Sequence, residues 1–182
     1  MNAVIHTIGH GNRSGSELID LLQLCSIGCL VDVRAHPGSR RHPQFGREAL
    51  TESLVTVGIE YVWSGDTLGG RRRSRAHSPH SALRNESFRA YADHMESDTF
   101  CHGVATLLDI ASAKRVAIMC AERLPWQCHR FLISDYLVAQ GHEVRHVIDA
   151  SPPRVHVLRP EARVTECGLI YDNQTQSSLS LD

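Results

Sequence analysis

The sequence predicts an α/β fold: a single doubly wound domain of about five mostly parallel strands with helices on both faces. Three observations predict it. Short β-prone runs alternate with stretches whose apolar residues recur at helical spacing, the pattern of strand–helix–strand units. Two of the runs, Cys29 to Val31 leading into Asp32-Val33 and Val116 to Met119, are continuously apolar, as expected of strands covered on both faces. The chain has 182 residues, 42% hydrophobic and 21% charged, enough for one ordinary core.

Val4 to Ile8 is the first strand, stopped by the turn-forming Gly9-His10-Gly11-Asn12-Arg13. Ser14 and Glu17 have capping-box spacing, and Leu18, Leu21, Leu22 and Cys25 continue a helix that Gly28 ends. Cys29 to Val33 is the second strand. Two prolines and a glycine between Ala35 and Phe45 exclude regular structure there. Leu50, Leu54 and Val57 mark the next helix, and Ile59 to Trp63 the third strand.

Ser64 to Arg84 is predicted as a long loop whose basic half is a mobile lid or a solvated charge run. Asn85 caps a helix carrying Phe88, Tyr91, Ala92 and Met95, and a further helix carries Phe100, Val104, Leu107, Leu108 and Ala111. Val116 to Met119 is the fourth strand, 131–140 the last helix, and Val144 to Ile148 the fifth strand. Two short strands are expected at 155–158 and 168–171. The domain boundaries that follow are a core at 1–150, an extension packed on it at 151–173, and a frayed tail at 174–182.

Composition narrows the function. No apolar run is long enough for a membrane helix, and no basic region precedes a long apolar stretch at the N-terminus, so a cytoplasmic, non-membrane protein is expected. Six cysteines without a signal are expected as thiols. The net charge is −1, which gives no global case for nucleic acid. Yet eighteen of the nineteen basic residues are arginines, and between Asp32 and Tyr91 ten arginines face six carboxylates. Arginine can clamp a phosphate or carboxylate through two parallel hydrogen bonds. The implied partner is an anionic small molecule or nucleic acid; the sequence names no cofactor.

The polar clusters all follow strands. His10, Asn12 and Arg13 come after the first; Asp32, Arg34 and Arg40 end or follow the second; Gly69, Gly70 and Arg71 follow the third; Cys120, Glu122, Cys128, His129 and Arg130 follow the fourth. In a parallel sheet these positions share one edge, where open α/β sheets bind ligands.

The same clusters carry a resemblance. Thr7-Ile8-Gly9-His10-Gly11-Asn12-Arg13, the stretch Val31 to Arg40, Leu68-Gly69-Gly70-Arg71 and the stretch Met119 to Arg130 occur in this order. Together they resemble the domain-of-unknown-function family numbered 488, over roughly residues 4–172. Gly11 departs from the Ser or Thr usual there. The resemblance implies an α/β fold and no established activity, although members are sometimes labelled DNA-repair proteins.

The expected chemistry is an enzyme acting on a phosphate-bearing nucleotide or nucleic acid. Asp32, Glu122, His10 and Cys128 are the candidate catalytic groups, in acid–base or hydrolytic roles. Asn12, Arg13, Arg34, Arg40, Gly69, Gly70, Arg71, His129 and Arg130 are the candidate ligand-binding residues, with Cys128 to Arg130 near a helix start that favours anions. One alternative is rhodanese-like sulfur transfer through Cys120 or Cys128. However, the position five residues beyond each is Pro125 or Ile133, not the arginine that closes a rhodanese cradle. Another is a non-catalytic anion-binding or nucleic-acid-binding module. No metal site is expected: two cysteines with seven residues between them lack zinc spacing, and Cys128 and His129 on one helix would diverge.

Overall fold

A computed structural model describes residues 2–38, 40–165 and 168–174. Each strand forms where the sequence is apolar and β-prone. They are β1 (Val4–Gly9), β2 (Cys29–Asp32), β3 (Glu60–Trp63), β4 (Val116–Cys120) and β5 (Glu143–Val147). They pair in parallel, and the two-residue β6 (Arg154–Val155) adds an antiparallel edge. The sheet order is β3-β2-β4-β1-β5-β6. The hairpin β7 (Ala162–Thr165) and β8 (Gly168–Tyr171) stands apart. Of the two late strands expected, the second is present; the first shrinks to Arg154–Val155, and β7 was not expected. Residues 175–182 of the expected tail lie outside the described residues.

Sequence periodicity decides which face each helix covers. On one face, α1 (Gly15–Leu24) and α2 (Arg47–Val55) bury Leu18, Leu22, Leu50 and Leu54 against Ile8, Leu30, Ala117 and Met119. On the other, α4 (Glu86–His94), α5 (Asp98–Ala113) and α6 (Arg130–Ala139) bury Tyr91, Phe100, Leu107 and Leu132 against Ile5, Val31, Ile118 and Cys120. The alternation along β4, with Ala117 and Met119 to one side and Ile118 and Cys120 to the other, is the pleat of a strand buried on both faces. Ser14 and Glu17 form a reciprocal capping box, and Asn85 caps α4 through its side-chain oxygen.

The loop segments are more ordered than their composition implies. Pro43–Phe45 makes a single 3-10 turn with proline at its start, where the missing N–H costs nothing. The 64–84 loop opens with the short helix α3 (Gly65–Leu68). Its basic half is held down: Arg72 donates to the carbonyls of Gly69, Asp66 and Thr67, and Arg75 pairs with Asp93 and Glu96 on and just after α4.

The C-terminal segment is fastened to the core by a directed chain of hydrogen bonds. Thr7 Oγ1 donates to His146 Nδ1 at 2.7 Å, His146 Nε2 to His156 Nδ1 at 2.9 Å, and His156 Nε2 to Asp135 Oδ1 at 2.8 Å. The Tyr171 hydroxyl donates to the other Asp135 oxygen at 3.1 Å. Both ring nitrogens of each histidine have a partner, so the chain is complete. Among the described residues, no helix is long and apolar enough to cross a membrane.

Candidate functional site

The strand order sets the place of the site. The chain leaves β2 toward β3 over one face of the sheet, and leaves β4 toward β5 over the other. A crevice opens between the carboxyl ends of such diverging neighbours. A cavity of about 300 Å³ lies there, lined by Arg34, Ala35 and His36 after β2, Gly70 and Arg71 after α3, and Ser87 and Phe88 of α4. Cys120, Ala121, Glu122, Gln127, Cys128 and His129 from the end of β4 and the loop beyond complete it.

His129 organises the floor. Its Nε2 lies 3.0 Å from the Val33 carbonyl oxygen, which can only accept, so this nitrogen carries the proton. Nδ1 is left as an acceptor, 3.8 Å from Cys120 Sγ. Tyr91 packs against the ring at 4.9 Å between centroids, and its hydroxyl is held by Leu68 O. Gly70 covers the remaining side: a Cβ there would stand 2.6 Å from Nδ1. Gly69 is equally constrained, since its Cβ would meet the Ala35 backbone at 2.9 Å. The paired glycines therefore permit close packing of loop on loop and loop on histidine.

Cys128 follows the 3-10 turn Pro125–Gln127 in extended conformation, φ −145° and ψ 159°. His129 has helical angles and starts α6. The two are thus not consecutive residues of one helix, and their side chains converge rather than diverge. The Cys120 and Cys128 sulfurs and a His129 nitrogen lie within 4.8 Å of one another. The Cys128 thiol, and next the His129 ring, hold the Cys120 thiol well below the ordinary range against the effect of burial. Burial, with Cys120 beside it, pushes the Cys128 thiol up.

The other expected site residues divide into braces and lining. Asp32 is fully buried and accepts from Arg34 Nε at 2.9 Å, Arg34 Nη2 at 2.6 Å and the Tyr61 hydroxyl at 2.7 Å. Arg34 Nη2 also donates to Phe45 O, so its charge is neutralised and its orientation fixed while one side of it lines the crevice. His10 is 4% exposed, stacks on Phe45 at 4.4 Å and donates from Nδ1 to Gly11 O. Burial lowers its pKa and keeps it neutral. Arg130 is 1% exposed and donates to Ile8 O at 2.6 Å and Arg123 O at 2.9 Å, tying β1 to the loop after β4. Arg13 does the same for Gly9 O and Ile148 O.

Asn12 and Arg13 line a neighbouring cavity together with Glu17 and Arg123, and Glu122 and Gln127 border both cavities. Arg40 is exposed and is not among the residues lining the crevice. Arg71 is exposed at the rim, and among the described residues no hydrogen-bond or ion-pair partner faces it. Sequence reasoning missed Ala35, His36, Ser87, Phe88 and Gln127. Phe88 stood out only as an apolar position of α4, and nothing in the sequence tells which helix start reaches the crevice. The Val33 carbonyl that orients His129 is backbone, so its identity leaves no trace in composition.

These features define a doubly wound α/β protein with a polar crevice at its switch point and a Cys/His cluster on the crevice floor. A family model described as Domain of unknown function DUF488 matches residues 14–137, and the chain belongs to that family. No curated protein and no solved structure matches the chain.

Proposed function

We propose that the protein is an enzyme whose active site is the β2/β4 crevice, and that its substrate is a phosphate-bearing small molecule of nucleotide size. The observation that carries this reading is the set of groups lining one cavity: the Arg71 guanidinium and the Glu122 carboxylate, neither paired among the described residues, and the Cys120–His129 pair. Arg71 supplies anion binding. Arg34, already neutralised by Asp32, supplies a rigid wall rather than net charge. Glu122 is the proton-transfer group, exposed on the crevice wall. Phe88 offers an apolar ring against which a base can lie.

A small ligand fits this reading better than a nucleic acid. The net charge is −1, Arg75 is spent on Asp93 and Glu96, and Arg72 on backbone carbonyls. The acid–base role first assigned to Asp32 and His10 passes to Glu122, because both of the former are buried and engaged. Binding of a panel of nucleoside mono-, di- and triphosphates by calorimetry tests the proposal. Arg71→Ala is expected to weaken the preferred ligand about tenfold, the order of one charge-assisted contact. Equal affinities for Arg71→Ala and wild type would remove the anion assignment.

A further inference from the structure

The donor set on the crevice floor has a use that an acid–base reading leaves open. Cys120, Cys128 and His129 are each no more than 9% exposed, and their donor atoms lie within 4.8 Å of one another. We propose that these three residues bind one transition-metal ion, zinc by preference, with the fourth coordination position open to the crevice. The proposal deepens the reading of the crevice as an active site, since the ion would be its Lewis acid. The binding itself does not depend on that reading.

The chemistry of the donors selects the ion. Two sulfurs and an imidazole suit zinc, which is four-coordinate with such ligands and keeps one position for water or substrate in catalytic sites. Bonds of zinc to sulfur and nitrogen place donors about 3.6 to 3.8 Å apart in a tetrahedron. The Cys120 Sγ to His129 Nδ1 distance is already 3.8 Å, and the widest pair in the cluster needs to close by only about 1 Å.

The surroundings are those of a ligand set rather than of a packed core. A metal-bound histidine has its other ring nitrogen oriented by a hydrogen bond, and the Val33 carbonyl provides it for His129. Gly70 brings no side chain against Nδ1, where a Cβ would stand 2.6 Å away. The backbone supports the convergence, with Cys120 ending a central strand and Cys128 extended just before α6.

Charge agrees. Arg130 is buried, its backbone N–H stands 3.4 Å from Cys128 Sγ, and among the described residues no carboxylate pairs with it. Zinc binding releases the thiol protons, and the two thiolates then balance its double charge. The complete set of one dication, two thiolates and Arg130 is net positive and faces a crevice that already carries Arg71. That is the balance an anionic substrate requires.

The test uses the full chain, reduced and purified without chelator, then dialysed against zinc or cobalt(II). Elemental analysis is expected to give one ion per chain. The cobalt form is expected to show sulfur-to-metal charge transfer and the intense visible bands of a tetrahedral site. Alkylation with mass-spectrometric mapping needs no variant. The ion is expected to protect Cys120 and Cys128 while leaving the exposed Cys101 reactive.

Cys128→Ser and His129→Ala are expected to lose the ion, and Cys101→Ser to keep it. Gly70→Ala removes no donor and is expected to weaken binding at least tenfold. A folded wild-type chain that takes up no zinc or cobalt overturns the proposal, as does equal alkylation of Cys120 with and without metal. Persulfide on Cys120 after incubation with a sulfur donor, in a chain that binds no metal, would assign the cluster to sulfur chemistry instead. Metal binding that survives while nucleotide binding is absent would refute the crevice reading and leave the metal site standing.

Discussion

His129 Nε2 and the carbonyl oxygen of Val33 stand 3.0 Å apart, and that bond fixes the chemistry of the opposite ring nitrogen. Because the carbonyl only accepts, Nε2 carries a proton, and Nδ1 is the ring nitrogen turned toward Cys120. Long-range nitrogen–proton NMR correlations of the metal-free protein are expected to report the Nε2–H tautomer. An Nδ1–H pattern would mean that the ring is not held by Val33.

Arg71 and Arg130 make opposite predictions. Arg71 is exposed and has no partner among the described residues, so Arg71→Ala is expected to change stability by no more than about 0.5 kcal/mol. Arg130 is buried and satisfies the carbonyls of Ile8 and Arg123. Arg130→Ala removes the donor to the buried Ile8 carbonyl and to the half-buried Arg123 carbonyl and leaves a large void, and is expected to cost about 3 kcal/mol or more. Urea unfolding of both variants checks the contrast, and equal effects would merge the two roles.

Asp32 is a brace for the same crevice. Removing it strands Arg34 in a buried position and frees the Tyr61 hydroxyl. Asp32→Ala is expected to destabilise the fold by about 3–5 kcal/mol, the usual cost of leaving one buried charge unpaired. A loss of less than about 1 kcal/mol, the scale of an exposed pair, would show that the pair is solvated.

Acid is expected to loosen the protein through its histidines. Burial, followed by the charges of His156 and Arg130, pushes the His146 pKa down to about 3. In the unfolded chain it titrates near 6.5. The unfolded state therefore binds more protons between these values. The neutral form's contribution is intact above about pH 6.5 and is lost progressively as pH falls towards 3, at up to about 1.4 kcal/mol per pH unit. His6, His10, His80 and His94 are lowered in the same direction, chiefly by burial. Unfolding free energies at pH 7.5 and 5.5 are expected to fall with acid, and His146→Asn to fall less steeply. A wild-type curve flat across this range would contradict the neutral hydrogen-bond chain from Thr7 to Asp135.

Much of this was legible in the residues. The apolar runs at β2 and β4 and the leucine spacing of α1 depend on local pattern, and so does the capping box at Ser14. The shared edge of the four clusters followed from the parallel sheet alone. The divisions within that edge did not follow. Whether Arg34 and Arg130 face a ligand or a carbonyl depends on the strand order, because Phe45 O, Ile8 O and Arg123 O are brought to them by distant segments. The convergence of Cys128 with His129 depends on a backbone angle at Cys128 that the 3-10 turn before it sets. Helical spacing alone suggested the reverse.

The most direct test of the crevice as the substrate site is a backbone amide NMR map of the reduced full chain, recorded as a nucleoside triphosphate is added. The largest shift changes are expected at Ala35, Gly70, Arg71, Ser87, Ala121 and Gln127, all of which line the crevice. Changes confined to the cavity beside His6, Arg115 and Arg145 would place the ligand elsewhere, and no changes at saturating ligand would remove the nucleotide reading.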